Sequence, residues 1–194
     1  TGPTVQDIRL TATSVRITGI VLTFSERLEP ASAVNPANYR LISLGRDTRA
    51  GTADDRSVVF AAPRYDANLR TVTLLPITPM ALRSFYQVTV VGSTGVTDLT
   101  GNRLNGDRTT GSDFVVGFAR GSSLTYVDRS GDSVTVTLTG GGTLELYRFA
   151  DLEGRQLRIL NPRSRSRLTG SVRPPHGGSD NRTTLERITG TTGV

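Results

Sequence analysis

The stretch "SVRITGIVLTFS" spans residues 14–25 and decides the fold class. Its first half alternates polar and apolar side chains, which is the period of a half-buried β-strand. Its second half is almost continuously apolar, which is typical of a strand that is covered on both faces. The stretch therefore predicts a central strand of a β-sandwich.

Short runs of the same kind lie on both sides of this stretch, and helical periodicity never extends beyond a turn or two. Further strands are predicted over residues 5–12, 38–44, 56–62, 70–77, 84–92 and 113–119. The segment 29–39 contains two prolines, which exclude a strand there and favour a helical turn followed by a loop. Seven short strands separated by turn signals are typical of a β-sandwich.

A second group of strands is predicted after residue 119. Its six runs are 123–128, 133–140, 142–150, 155–161, 167–174 and 183–190. They recur about every ten residues, as in a meander, a sandwich or the start of a β-solenoid. The predicted fold class is therefore all-β, with domains over residues 3–118 and 119–194. Because the chain ends directly after a predicted strand and opens without a signal-peptide pattern, we expect it to be part of a longer protein.

Composition excludes several chemistries. Cysteine is absent, so disulfides, thiolate catalysis and zinc–thiolate sites are excluded. All 23 basic residues are arginine, so Schiff-base catalysis and lysine crosslinks are excluded as well. The formal charge of +6 is spread along the chain, which argues against a nucleic-acid partner. No run of about 18–20 apolar residues predicts membrane insertion.

The segment "GRDTRAGTADD" (45–55) is the first candidate cation site. It offers Asp47, Asp54 and Asp55 as oxygen ligands, and calcium is the cation that favours such ligands. The spacing is not that of an EF-hand. Arg46 and Arg49 allow the alternative that arginine–aspartate ion pairs brace the loop.

Two further loops carry carboxylates. The segment "TDLTGNRLNGD" (97–107) contains Asp98, Asn102 and Asp107, which either ligate calcium or hold a turn through bonds from side chain to backbone. The segment "DRSGD" (128–132) offers only two carboxylates and a hydroxyl. This thin ligand set favours a tight hairpin over a metal site.

Catalytic motifs are missing from the sequence, so we predict that the chain is not an enzyme. The single histidine, His176, lies in a Pro- and Gly-rich segment. Carboxylate pairs such as Glu26 with Glu29, or Glu145 with Glu153, leave glycosidase chemistry as an open class. Sugar binding by a sandwich usually requires exposed aromatic rings, and the five tyrosines are the only candidates in a chain without tryptophan.

Residues 5–118 resemble the bacterial Ig-like domains of S-layer proteins and other large secreted surface proteins. The resemblance rests on "VLTFSERLEPASAVNPANYRL" (21–41), "YDANLRTVTLLP" (65–76) and "FYQVTVVGSTGVTDLTGNRLNGD" (85–107). The last of these contains the loop pattern D-x-x-G-N-x-L, here Asp98 to Leu104. Residues 124–146 are similar to a segment of giant secreted bacterial proteins, in which the acidic loop usually reads D-x-D-G-D.

The resemblance implies an extracellular or cell-surface location and a structural or adhesive role in a large bacterial protein. It implies no particular ligand. The partners that we expect are neighbouring domains of the same protein, with cell-surface or extracellular polysaccharide as a further candidate. Calcium is the candidate cofactor, held by the aspartates and the asparagine of the first two loops. The alternative function is a carbohydrate-binding module attached to a secreted protein or to a polysaccharide-degrading enzyme.

Overall fold

The computed structural model describes residues 1–128, 130–149, 155–174 and 187–191. Its helices are α1 (Pro30–Val34) and a 3-10 turn (Pro36–Asn38). Its strands are β1 (Val5–Ala12), β2 (Arg16–Phe24), β3 (Tyr39–Ser43), β4 (Arg56–Ser57), β5 (Arg64–Asp66), β6 (Thr71–Leu74), β7 (Met80–Ala81), β8 (Tyr86–Val90), β9 (Phe114–Gly121), β10 (Ser123–Val127), β11 (Ser133–Thr139), β12 (Thr143–Phe149), β13 (Arg155–Leu160), β14 (Arg167–Arg173) and β15 (Arg187–Thr191). The all-β prediction is confirmed.

The chain forms two compact units that are not contiguous along the sequence. The first comprises residues 1–43, 57–81 and 87–116, and the second comprises residues 44–56, 82–86 and 117–194. The predicted domain limits of 3–118 and 119–194 stay a prediction.

The strand from which the fold was predicted is central in the first unit. One sheet has the order β1-β2-β6-β5, and β7 also pairs with β2. Leu22 of β2 lies opposite Ile8 of β1 on one side and Val72 of β6 on the other. On the other side of the core, β4 pairs with β3, β3 with β8, and β8 with β9. The core consists of buried side chains from both sheets, among them Ile8, Ile20, Leu22, Phe24, Leu41, Val72, Leu74, Val88, Val90 and Val116.

The prediction of one strand over residues 56–62 is wrong beyond its first two residues. The Val58 N–H donates to the carbonyl of Leu41, whereas the Ala61 N–H donates to the carbonyl of Leu75. Leu41 lies in β3 and Leu75 directly follows β6, so the segment passes from one sheet to the other. Since a continuous ladder needs one partner strand, this crossing ends β4 at Ser57.

The second unit also contains two sheets. One has the order β10-β11-β14, and the other contains the second part of β9 followed by β12, β13 and β15. The pairs β10–β11 and β12–β13 are antiparallel, and β15 is parallel to β13. Strand β12 contacts both β10 and β11 across the core. That core is formed by Leu124, Tyr126, Val134, Val136, Leu138, Leu144, Leu146, Tyr147 and Leu157.

Replacing Leu22 by alanine tests the central position of β2. Because Leu22 is fully buried between two neighbouring strands, we expect Leu22→Ala to lower the free energy of unfolding by about 2–5 kcal/mol. The matched control is Val15→Ala in the turn before β2, where the side chain is 67% exposed and the effect should stay within about 0.5 kcal/mol. Chemical denaturation measures both, and equal effects of the two substitutions would contradict the placement.

Candidate functional site

The loop at residues 97–105 is folded around the carboxylate of Asp98, which is 4% exposed. Asp98 Oδ1 accepts hydrogen bonds from the Thr100 N–H (2.8 Å), the Thr100 hydroxyl (2.9 Å) and the Asn102 N–H (2.8 Å). Its Oδ2 accepts a bond from Asn102 Nδ2 at 2.7 Å. Gly101 completes the turn at a φ of +84°, which glycine adopts without steric cost. This confirms the turn-holding role that the sequence allowed for Asp98.

These contacts determine the charge state of Asp98. Burial raises the pKa of the carboxyl, but the hydrogen bonds from Asn102 and Thr100 favour the ionised form and lower the pKa to about 2. Asp98 is therefore an anion at neutral pH whose two oxygens already accept four hydrogen bonds.

The segment 45–55 uses Asp54 in the same way. Asp54 Oδ2 accepts a bond from the Arg46 N–H at 2.7 Å, and Oδ1 accepts one from the Thr52 hydroxyl at 2.7 Å. The Thr52 bond, followed by the Arg46 bond, lowers the pKa of Asp54. A Cβ atom on Gly45 would lie 2.1 Å from Asp54 Oδ2, so the position requires glycine.

The other two aspartates of this segment also cap backbone groups. Asp47 Oδ1 accepts a bond from the Arg49 N–H at 2.9 Å, and Asp55 Oδ2 accepts one from the Gly51 N–H at 2.7 Å. The Arg56 guanidinium donates to the carbonyls of Ala53 and Asp55 and not to a carboxylate. None of the three aspartates forms an ion pair with an arginine of the described residues. The aspartates of this loop are therefore held by backbone N–H and hydroxyl donors, and not by the arginine guanidinium groups that the sequence offered as braces.

Thr48 joins this loop to the rest of the second unit. Its side chain is buried and its φ is +56°, which is rare for a β-branched residue. The Thr48 hydroxyl accepts a bond from the Val127 N–H at 3.2 Å, and its carbonyl accepts one from Arg148 Nη2 at 2.6 Å. The Arg148 guanidinium also lies 4.9 Å from the centre of the Phe85 ring. Burial, with a smaller contribution from Arg155, lowers the pKa of Arg148 to about 10, so it remains a cation at neutral pH.

Asp107, the remaining predicted ligand, organises a third loop. Its Oδ1 accepts a bond from the Thr109 N–H at 3.0 Å, and its own N–H donates to the Ser112 hydroxyl at 2.9 Å. The Ser112 side chain is the main cause of a lowered pKa of Asp107.

The structure does not bring the six predicted ligands into one cluster. Asp47, Asp54 and Asp55 belong to the second unit, whereas Asp98, Asn102 and Asp107 belong to the first. Within the described part of the chain, no group of three or more carboxylate or histidine side chains is placed to hold a metal ion. Calcium binding by these residues stays a prediction.

Two of the four glutamates considered for catalysis, Glu29 and Glu145, have structural contacts. Glu29 caps α1, accepting bonds from the N–H groups of Ala31 (2.9 Å) and Ser32 (2.6 Å). Glu145 is buried, forms an ion pair with Arg120 and accepts a bond from the Tyr147 hydroxyl at 2.7 Å. His176 and Glu153 lie outside the described residues.

The tyrosines do not form an exposed platform for sugars. Tyr39, Tyr86, Tyr126 and Tyr147 are buried, and the half-buried Tyr65 accepts a bond from the Leu28 N–H at 2.7 Å. The Tyr39 hydroxyl donates to the carbonyl of Ala33. No helix in the described ranges is long and apolar enough to cross a membrane.

Comparison with protein families gives a match over residues 1–118 to the model described as "Bacterial Ig-like domain". No curated protein matches the chain.

Among solved structures, the chain is similar to the S-layer protein rSbsC(31-844), with 14% identity over 79% of this chain and 24% of that one, at a TM-score of 0.41. It is also similar to PcoC, a methionine-rich copper resistance protein from Escherichia coli, with 14% identity over 59% of this chain and 96% of that one, at a TM-score of 0.39. The chain thus spans about a quarter of the S-layer protein, and likenesses at these scores carry no functional argument.

The Asp98 turn is tested by Asp98→Asn. The asparagine amide removes the negative charge of Asp98 and places an NH2 donor opposite the donors of Thr100 and Asn102. We therefore expect a lower midpoint of thermal unfolding at pH 7. The folded-state pKa lies below the ordinary value, so the stabilisation is present above pH 4 and is lost as the pH falls toward 2. Melts from pH 7 to pH 2 should therefore show the difference from the unsubstituted chain shrinking. A constant difference would contradict the assignment.

The anchoring of Thr48 is tested by Arg148→Leu, which keeps an apolar contact with Phe85 but removes the donor to Thr48. We expect a loss of about 1–3 kcal/mol in the free energy of unfolding and faster trypsin cleavage at Arg46, Arg49 and Arg56. The matched control is Arg165→Leu, because Arg165 is exposed. Equal cleavage rates in the two variants would contradict the anchor.

Proposed function

The chain belongs to the bacterial Ig-like domain family through residues 1–118, and from this premise we propose that it is a non-catalytic structural module of a large secreted or cell-surface bacterial protein. In that role it spaces or joins neighbouring domains of the same protein.

The observation that supports this proposal best is the use of the polar side chains. Asp98, Asp54 and Asp107 accept hydrogen bonds from their own loops, and Glu29 caps a helix. Side chains that act on a substrate need free donors or acceptors in a cleft. These carboxylates instead keep their own loops in place, as a structural module requires.

Carbohydrate binding is the second candidate function, and one feature favours it. The outer face of β10, β11 and β14 carries two cross-strand rows of hydroxyl groups, which consist of Thr125, Thr135 and Ser171 in one row and Ser123, Thr137 and Thr169 in the other. The exposed Arg167 and Arg173 stand at the two ends of β14. Such a face offers hydrogen-bond donors to an acidic polysaccharide, although it lacks the aromatic rings on which sugars commonly stack.

Labelling of intact cells of the source bacterium tests the location, and a glycan array tests the choice between the two functions. With antibodies raised against this chain, we expect labelling without permeabilisation, and no glycan retained by the purified chain. Labelling that requires permeabilisation would contradict a surface location. The carbohydrate-binding alternative would be established if the chain retains an acidic glycan and the double variant Arg167→Ala/Arg173→Ala no longer retains it.

A further inference from the structure

The turn between β10 and β11 contains a buried carboxylate without a partner. Asp132 is 0% exposed, and neither Oδ1 nor Oδ2 accepts a hydrogen bond. The other buried carboxylates of the described residues differ from it. Asp98 accepts four bonds, Asp128 accepts bonds through Oδ1, and Glu145 pairs with Arg120.

An ionised carboxylate in this position is unfavourable. Removing a charge from water costs several kcal/mol when no donor or opposite charge compensates it. A nearby guanidinium does not supply that compensation, since Arg155 packs 5.0 Å from the centre of the Tyr126 ring and forms no ion pair with Asp132. The missing compensation is what a bound cation supplies.

The geometry of the hairpin places a second carboxylate beside it. The Asp128 N–H donates to the carbonyl of Asp132, and the Asp132 N–H donates to Asp128 Oδ1, both at 2.9 Å. Tyr126 and Val134 form the adjacent cross-strand pair on the buried face. Asp128 directly follows β10 and Asp132 directly precedes β11, and both are buried. Like charges at directly opposed positions repel each other, which adds to the cost of leaving Asp132 unpaired.

Two hydroxyl groups belong to the same hairpin. The Tyr126 hydroxyl, two residues before Asp128, is also buried without a hydrogen-bond partner, and the Ser130 hydroxyl donates to Asp128 Oδ1. Two carboxylates with these hydroxyl oxygens form the kind of set that Ca²⁺ takes, with water in its remaining positions. We propose that a calcium ion binds between the carboxylates of Asp128, directly after β10, and Asp132, directly before β11.

Thermal unfolding of the chelator-treated chain with calcium, against magnesium at equal ionic strength, tests this proposal. Calcium at one hundred times its Kd should raise the midpoint by about 5–10 °C. Asp132→Asn should abolish this shift and raise the calcium-free midpoint, because it removes the unpaired charge and keeps the shape. The matched control Asp66→Asn, where the carboxylate accepts bonds from the Asn68 and Leu69 N–H groups of another turn, should retain the full shift.

A terbium titration gives a second readout that does not depend on Asp132→Asn folding. Tyrosine-excited emission should appear on binding, fall when calcium is added, and weaken in Tyr126→Phe, which changes no charged ligand. The proposal is overturned if millimolar calcium leaves the melt of the unsubstituted chain unchanged. It is equally overturned if the shift persists in Asp132→Asn, because the ion would then lie at another loop.

Discussion

Every loop of an all-β protein must satisfy backbone N–H groups that have no partner strand, and in this chain single aspartate side chains meet that requirement. Asp98 alone accepts two backbone N–H groups and two side-chain donors. Asp54 and Asp55 divide the same task in the segment 45–55. A buried N–H without an acceptor costs about 1–3 kcal/mol, so these carboxylates determine whether the loops close at all.

The absence of lysine makes arginine the only long cation available to the cores. In the second unit, Arg148 packs against Phe85 and donates to the carbonyl of Thr48. Arg120 pairs with the buried Glu145, to which the Tyr147 hydroxyl also donates. A planar guanidinium stacks flat on an aromatic ring while its N–H groups donate in a fixed, fork-shaped geometry, whereas the compact ammonium group of lysine has no plane to stack. Arginine thereby links the segment 44–56 to strands that follow it by about a hundred residues in the chain.

The sequence predicted the strands well wherever one face of a strand is buried. The alternation in residues 5–12 gave both limits of β1, because its pattern is local and regular. The segment 56–62 was predicted poorly, because its backbone N–H groups donate to two different sheets in turn.

The same distinction between local and distant contacts applies to the candidate site. The turn at Asp98 followed from its local spacing with Asn102, whereas nothing near Thr48 indicates that Arg148 contacts it. The burial and missing partner of Asp132 are not visible in the sequence, so its spacing alone favoured an ordinary hairpin.

Above all, the loop carboxylates hold backbone N–H groups in the folded chain. Native-state hydrogen exchange followed by NMR measures this directly at the amides of Arg46, Gly51, Thr100 and Asn102. We expect exchange at these positions to be slowed to rates like those of strand amides, because a buried or half-buried carboxylate accepts each of them. Exchange at the rate of an unstructured peptide at Thr100 and Asn102 would contradict the account, since the aspartate would then be free for another role.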